Sequence, residues 1–68
     1  MYDLKQLRAF TVLAESMHFG NAAVKLGITQ SALSQSIRHL EEDVGAPLIN
    51  RTNRTMALTP LGEAFLLD

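Results

Sequence analysis

Gly27 is the residue that most constrains how this chain folds. It ends one run of helical spacing and stands just before another, inside the stretch Asn21–Glu41. Ahead of it, Ala22, Ala23 and Leu26 make a small apolar face one turn long. A helix that stops in the left-handed region usually does so on glycine, which has no Cβ to clash. Ile28 supplies an apolar anchor in the turn, and Thr29 is suited to cap the next helix by accepting an early backbone N–H. Leu33, Ile37, Leu40 and Val44 then recur at steps of 4, 3 and 4, one buried stripe along a longer helix. The sequence therefore predicts two helices joined by a tight turn.

The opposite face of the longer helix carries Gln30, Ser31, Ser34, Gln35 and Arg38. A solvated face is ordinarily rich in Lys and Glu, which form helix well and favour solubility. Short hydroxyls and amides instead let a helix approach another surface closely, and Gln can pair in bidentate fashion with the N6 and N7 of adenine. The plain alternative is a solvated face that happens to be rich in Ser and Gln. Small Ala, a turn Gly and spaced Leu/Ile together favour a DNA-reading helix-turn-helix.

Charge argues the other way at first sight. Six Lys/Arg against seven Asp/Glu give a formal net charge of −1, whereas nucleic-acid binders usually carry a basic balance. The distribution softens the objection. Between Ser16 and Leu40 the only charged residues besides two histidines are Lys25 and Arg38, and between Val44 and Leu61 only Arg51 and Arg54. The acids stand elsewhere, at Asp3, Glu15, Glu41, Glu42, Asp43, Glu63 and Asp68. A chain of 68 residues forms one small domain of modest stability. Without cysteine it has no disulfide or thiolate metal site. The N-terminal MYDLKQLRAF lacks the pattern of a signal peptide, and no apolar run has the length of a membrane span.

Taken in order, Leu4 to Met17 predicts a first helix with Asp3 as cap and a core stripe of Leu4, Leu7, Phe10 or Thr11, Ala14 and Met17. Arg8 on its outer side faces water more readily than a phosphate. His18, Phe19 and Gly20 predict a connector, with Phe19 plugging the core and His18 at the surface. Asn21 is suited to cap the second helix and to touch a phosphate oxygen, and Lys25 lies on that helix's outer side. Gly45 stops the long helix and Pro47 prevents its resumption. The acids Glu41, Glu42 and Asp43 predict a solvated helix end or a pair with a later arginine. Pro47 to Thr59 predicts a hairpin, with Leu48 and Ile49 entering, Met56 and Leu58 facing inward on return, and Arg51 and Arg54 at the polar tip. A hairpin after a reading helix is a wing, suited to lay arginines along the backbone and the minor groove. Thr59 and Pro60 begin a last helix, whose apolar end predicts that the chain continues or that the helix meets another chain.

The run AAVKLGITQSALSQSIRHLEEDVGAPLINR, followed by TMALTPLGEAF, resembles the N-terminal winged helix-turn-helix of LysR-type transcriptional regulators over essentially the whole chain. The resemblance implies a mostly α fold: a three-helix core, a short two-stranded wing and the start of a C-terminal linker or dimerisation helix. The winged domain would span residues 1–59 and the helix residues 60–68. It further implies base contacts from Gln30, Ser31, Ser34 and Gln35 in the major groove and from Arg54 in the wing. Thr29, Arg38 and Arg51, with Asn21, would serve the backbone. The expected partner is double-stranded DNA with an A·T-rich interrupted dyad. Homodimerisation would use Leu61, Phe65 and Leu66 of the last helix, with a tetramer for the full-length protein. A small-molecule co-inducer would bind a domain absent from this chain, and the expected location is the cytoplasm. No cofactor is expected.

Three positions depart from the family's pattern. Ser31 stands where Pro is common, Gln35 where Arg is common, and Ile49 where Phe is common. Gln at position 35 favours adenine where Arg would favour guanine. Two other function classes compete. A helical protein–protein or dimerisation module that does not bind DNA draws support from the near-neutral charge. An enzyme would need more than His18 and His39, neither of which has a Ser/Asp arrangement nearby; His39 with Asp43 reads more simply as a helix-surface pair.

Overall fold

The computed structural model describes residues 4–50 and 56–66, and its elements run α1 (Leu4–Ser16), α2 (Phe19–Leu26), α3 (Gln30–Val44), β1 (Ile49–Asn50), β2 (Ala57–Leu58) and α4 (Pro60–Leu66). The expected cap Asp3 lies outside the described residues, as do Arg51 and Arg54, expected at the hairpin's polar tip. The three-helix core, the two-stranded wing and the helix that follows make this a mostly α winged helix-turn-helix.

The buried core is drawn from α1, α2, α3 and the entry to the wing, with Leu58 of β2 and Phe65 of α4 packed against it. Phe10 and Leu13 of α1, Leu33, Ile37 and Leu40 of α3, and Leu48 are fully buried. Ala22 and Ala23 are buried too; their small side chains let α2 lie close against its neighbours. The stripe read on α3 is the one observed, with Val44 half-buried at its end.

The stripe expected on α1 needs correction. Leu4, the first residue of the helix, is 82% exposed, and Met17, just past its last residue, is 36% exposed. The buried positions are Ala9, Phe10 and Leu13, with Phe10 rather than Thr11 turned inward. The Thr11 hydroxyl donates to the Leu7 carbonyl at 2.9 Å on the outer side. The helix ends at Ser16, and Met17 follows with φ of 52° in the left-handed region.

The connector also differs from expectation. Phe19 and Gly20 form the first turn of α2, and the cap is His18, not Asn21. His18 Nδ1 accepts the Asn21 backbone N–H at 3.1 Å. Asn21 is therefore inside the helix, two residues after its start.

Both glycine stops are as read. Gly27 and Gly45 have φ of 71° and 93°. The N–H of Ile28 reaches back to the Ala23 carbonyl at 3.0 Å, and those of Gly45 and Ala46 to Glu41 at 2.8 and 3.2 Å. These bonds satisfy carbonyls that a helix end leaves without partners.

Strands β1 and β2 pair antiparallel, with Ile49 opposite Leu58 and Asn50 opposite Ala57. Met56 and Leu58 are half-buried and Ala57 exposed, the expected alternation. Thr59 caps α4 as read: its Oγ1 accepts from the Gly62 N–H at 3.0 Å and donates to the Pro47 carbonyl at 2.9 Å. Phe65 packs back on the core, edge to face with Phe10 at a centroid distance of 6.0 Å.

Candidate nucleic-acid interface

Helix α3 is held by its buried stripe, so its other face is fixed in direction. Thr29 has extended backbone and its Oγ1 accepts the Ala32 N–H at 3.0 Å, setting where the helix begins. Gln30, Ser31, Gln35 and Arg38 are exposed and Ser34 is half-buried. Gln30, Ser31 and Ser34 share one concave patch with Phe19 of α2. Gln35 lies one turn beyond Ser31, and Arg38 one turn beyond Ser34, continuing the same face. Asn21 and Thr29 are both exposed near the start of this face.

No carboxylate stands on that face between Thr29 and Leu40. The first acid after it, Glu41, is turned to another purpose. Its Oε2 accepts the backbone N–H groups of Leu48 at 2.8 Å and Ile49 at 3.2 Å. It is thus half-buried against the entry to the wing and not a solvated helix end, while Arg51 and Arg54, the arginines expected as its alternative partners, lie outside the described residues. Sequence reasoning missed this role because the recipients are backbone groups seven and eight residues away, with no side-chain signature.

A second depression lies between α1, the turn and the first half of α3, lined by Lys5, Arg8, Ala9, Leu26, Ile28, Ala32 and Ser36. Arg8 is exposed at its edge, in keeping with the surface position read for it. His39 and Asp43 are exposed on α3. Among the described residues, no three His, Asp or Glu side chains come together as metal ligands, and no helix is long and apolar enough to cross a membrane.

On the last helix, Leu61 and Leu66 are 40% and 38% exposed. Phe65, expected with them on a contact face, is half-buried against Phe10.

Residues 4–63 match the model of the bacterial regulatory helix-turn-helix protein, lysR family. The chain belongs to the LysR family. Among curated relatives it is 55% identical over 64 residues to the HTH-type transcriptional regulator IlvR of Caulobacter vibrioides, and 50% identical over 64 residues to the HTH-type transcriptional regulator AlsR of Bacillus subtilis. Each alignment covers 94% of this chain but only 22% and 21% of those relatives, so the LysR-family chain spans about a fifth of their length. Its fold superposes on the DNA complex of Vibrio fischeri DarR with a TM-score of 0.93 and 40% identity, over 98% of this chain and 23% of that one. It superposes on the BenM DBD bound to catB site 1 DNA with a TM-score of 0.90 and 40% identity, over 96% of this chain and 72% of that one. A LysR-family transcriptional regulator from Eggerthella lenta gives a TM-score of 0.88 at 38% identity, covering 97% of this chain and 93% of that one.

Proposed function

We propose that this LysR-family chain is the sequence-specific, double-stranded DNA-binding domain of a transcription regulator. The observation that carries the reading is the outer face of α3, where Gln30, Ser31, Ser34, Gln35 and Arg38 stand together without a carboxylate. Its likeness to the DarR and BenM DNA complexes supports the same reading. Helix α3 enters the major groove; Gln30, Ser31, Ser34 and Gln35 meet base edges, and Thr29, Arg38 and Asn21 meet phosphates. The hairpin tip brings Arg54 to the minor groove and Arg51 to the backbone. Residues 1–59 act as the winged domain and residues 60–68 begin the linker helix.

The protein works as a homodimer on an A·T-rich interrupted dyad, with exposed Leu61 and Leu66 as the principal contacts between copies and Phe65 supporting them from within. The whole protein is a cytoplasmic tetramer whose co-inducer binds outside this chain. It acts by binding, not by catalysis. Salt separates this reading from a protein–protein module: duplex affinity falls on a log–log plot with a slope of about −0.9 for each neutralised phosphate. Duplex binding insensitive to salt, or none in a folded sample, would favour the other class.

A further inference from the structure

We propose that Gly20 and His18 position the carboxamide of Gln30 and so set the base preference of this domain at the pair Gln30 reads. The inference rests on the DNA-binding reading above and deepens it. It starts from the first turn of α2. The His18 backbone N–H donates to Ser16 Oγ at 3.2 Å, and its carbonyl accepts from the same hydroxyl at 3.1 Å. The imidazole folds over the turn so that Nδ1 accepts the Asn21 N–H. With Nδ1 as acceptor, a neutral ring carries its hydrogen on Nε2. The ring is therefore held from its backbone and from its own nitrogen.

Gln30, the first residue of α3, reaches the same place from the other helix. A Cβ added to Gly20 would lie 3.0 Å from His18 Cε1, 3.3 Å from His18 Nδ1 and 3.3 Å from Gln30 Nε2. The Gln30 amide and the His18 ring thus occupy the space that glycine leaves open at position 20. Bidentate reading of adenine requires the amide oxygen and nitrogen to present in one orientation. A glutamine on a bare helix face samples many rotamers and loses that freedom on binding. Here the ring on one side and the Cβ-less turn on the other restrict where the amide lies before DNA arrives. A methyl group at position 20 presses on both groups, so the His18 ring and the Gln30 amide must each give by a few tenths of an ångström, and the amide, as the end of a flexible side chain, gives more readily than the ring. The fold tolerates the change, since Ala is a better helix former than Gly.

The test is the relative affinity of the intact protein for duplexes in which each base pair of its selected site is replaced in turn. Wild type is compared with Gln30→Ala, Gly20→Ala and His18→Ser, the last keeping a hydroxyl that can cap α2 while removing the ring. Gln30→Ala locates the pair that Gln30 reads. Gly20→Ala and His18→Ser are expected to lose discrimination at that same pair by roughly fivefold or more, with preferences elsewhere and thermal stability kept. Wild-type preferences in both variants, or a loss spread evenly over the site, would overturn the inference. A Gln30→Ala profile equal to wild type would overturn it too. Wild type that selects no duplex at all would defeat the DNA-binding reading instead, so the two failures are told apart.

Discussion

The carboxylate of Glu41 and the backbone N–H of Leu48 lie 2.8 Å apart, tying the end of α3 to the entry of the wing. The same oxygen also takes the Ile49 N–H, while the Glu41 carbonyl receives Gly45 and Ala46. One residue therefore organises both the stop of the helix and the direction of the strand after it. Glu41→Ala leaves two N–H groups beside buried Leu48 and Ile49 without that acceptor, at a cost of about 1–3 kcal/mol. Glu41→Gln keeps a neutral acceptor and should cost less. Denaturant melts of the two variants check this; equal stability of Glu41→Ala and wild type would refute the clamp.

Gly62 touches the other side of that segment. A Cβ there would lie 2.2 Å from the Leu48 carbonyl oxygen, which already accepts the Thr59 N–H at 3.0 Å. The backbone of α4 or of the wing must shift to admit a methyl group, so Gly62→Ala is expected to destabilise by about 1–3 kcal/mol despite its better helix propensity. A thermal melt at or above that of wild type would mean that α4 does not approach so closely.

Met17 should respond in the opposite direction. Its φ of 52° places a side chain in the left-handed region, which costs a non-glycine residue about 1–2 kcal/mol. Glycine avoids that cost but loses roughly 0.5–1 kcal/mol more to chain entropy on folding. Met17→Gly is therefore expected to raise stability slightly, by about 0.5 kcal/mol or more. The check is differential scanning calorimetry; a lowered melting temperature would mean that Met17 contributes more packing than its partial exposure suggests.

Gln35 carries a specificity prediction. It stands exposed on the outer face of α3, at the position where the family resemblance implies arginine. Gln35→Ala should relax discrimination at one or two base pairs by roughly 1–3 kcal/mol without unfolding the domain. Gln35→Arg should shift preference toward guanine. Competition binding with single-base-substituted duplexes measures both, and an unchanged profile in both variants would remove Gln35 from the reading face.

What was legible in the sequence was whatever local chemistry enforces. The stops at Gly27 and Gly45 follow from left-handed backbone, and the caps at Thr29 and Thr59 from hydroxyls with a free N–H three residues on. The Leu33–Ile37–Leu40 stripe follows from helical period. What escaped depends on distant or unusual partners. Histidine is not among the preferred capping residues, so His18 carries no capping signal in the sequence, and its choice of Asn21 as donor is a matter of ring placement. The core role of Leu13 was hidden because helical period alone cannot say which turns of α1 the rest of the fold covers; Leu4 and Met17 fit the period but are exposed. The roles of Glu41 and Gly62 come from backbone brought near by the fold. Of the proposed contact residues, the face from Gln30 to Arg38 was readable as an unusual polar pattern, whereas the individual roles came from family likeness.

The central claim is tested most directly by selecting bound duplexes from a fragmented-genome pool at two salt concentrations. The account predicts enrichment of a two-fold-related, A·T-rich site at low salt that is lost as salt rises. No enrichment at low salt, from a sample shown to be folded and dimeric, would contradict it and leave a protein-interaction module as the better reading.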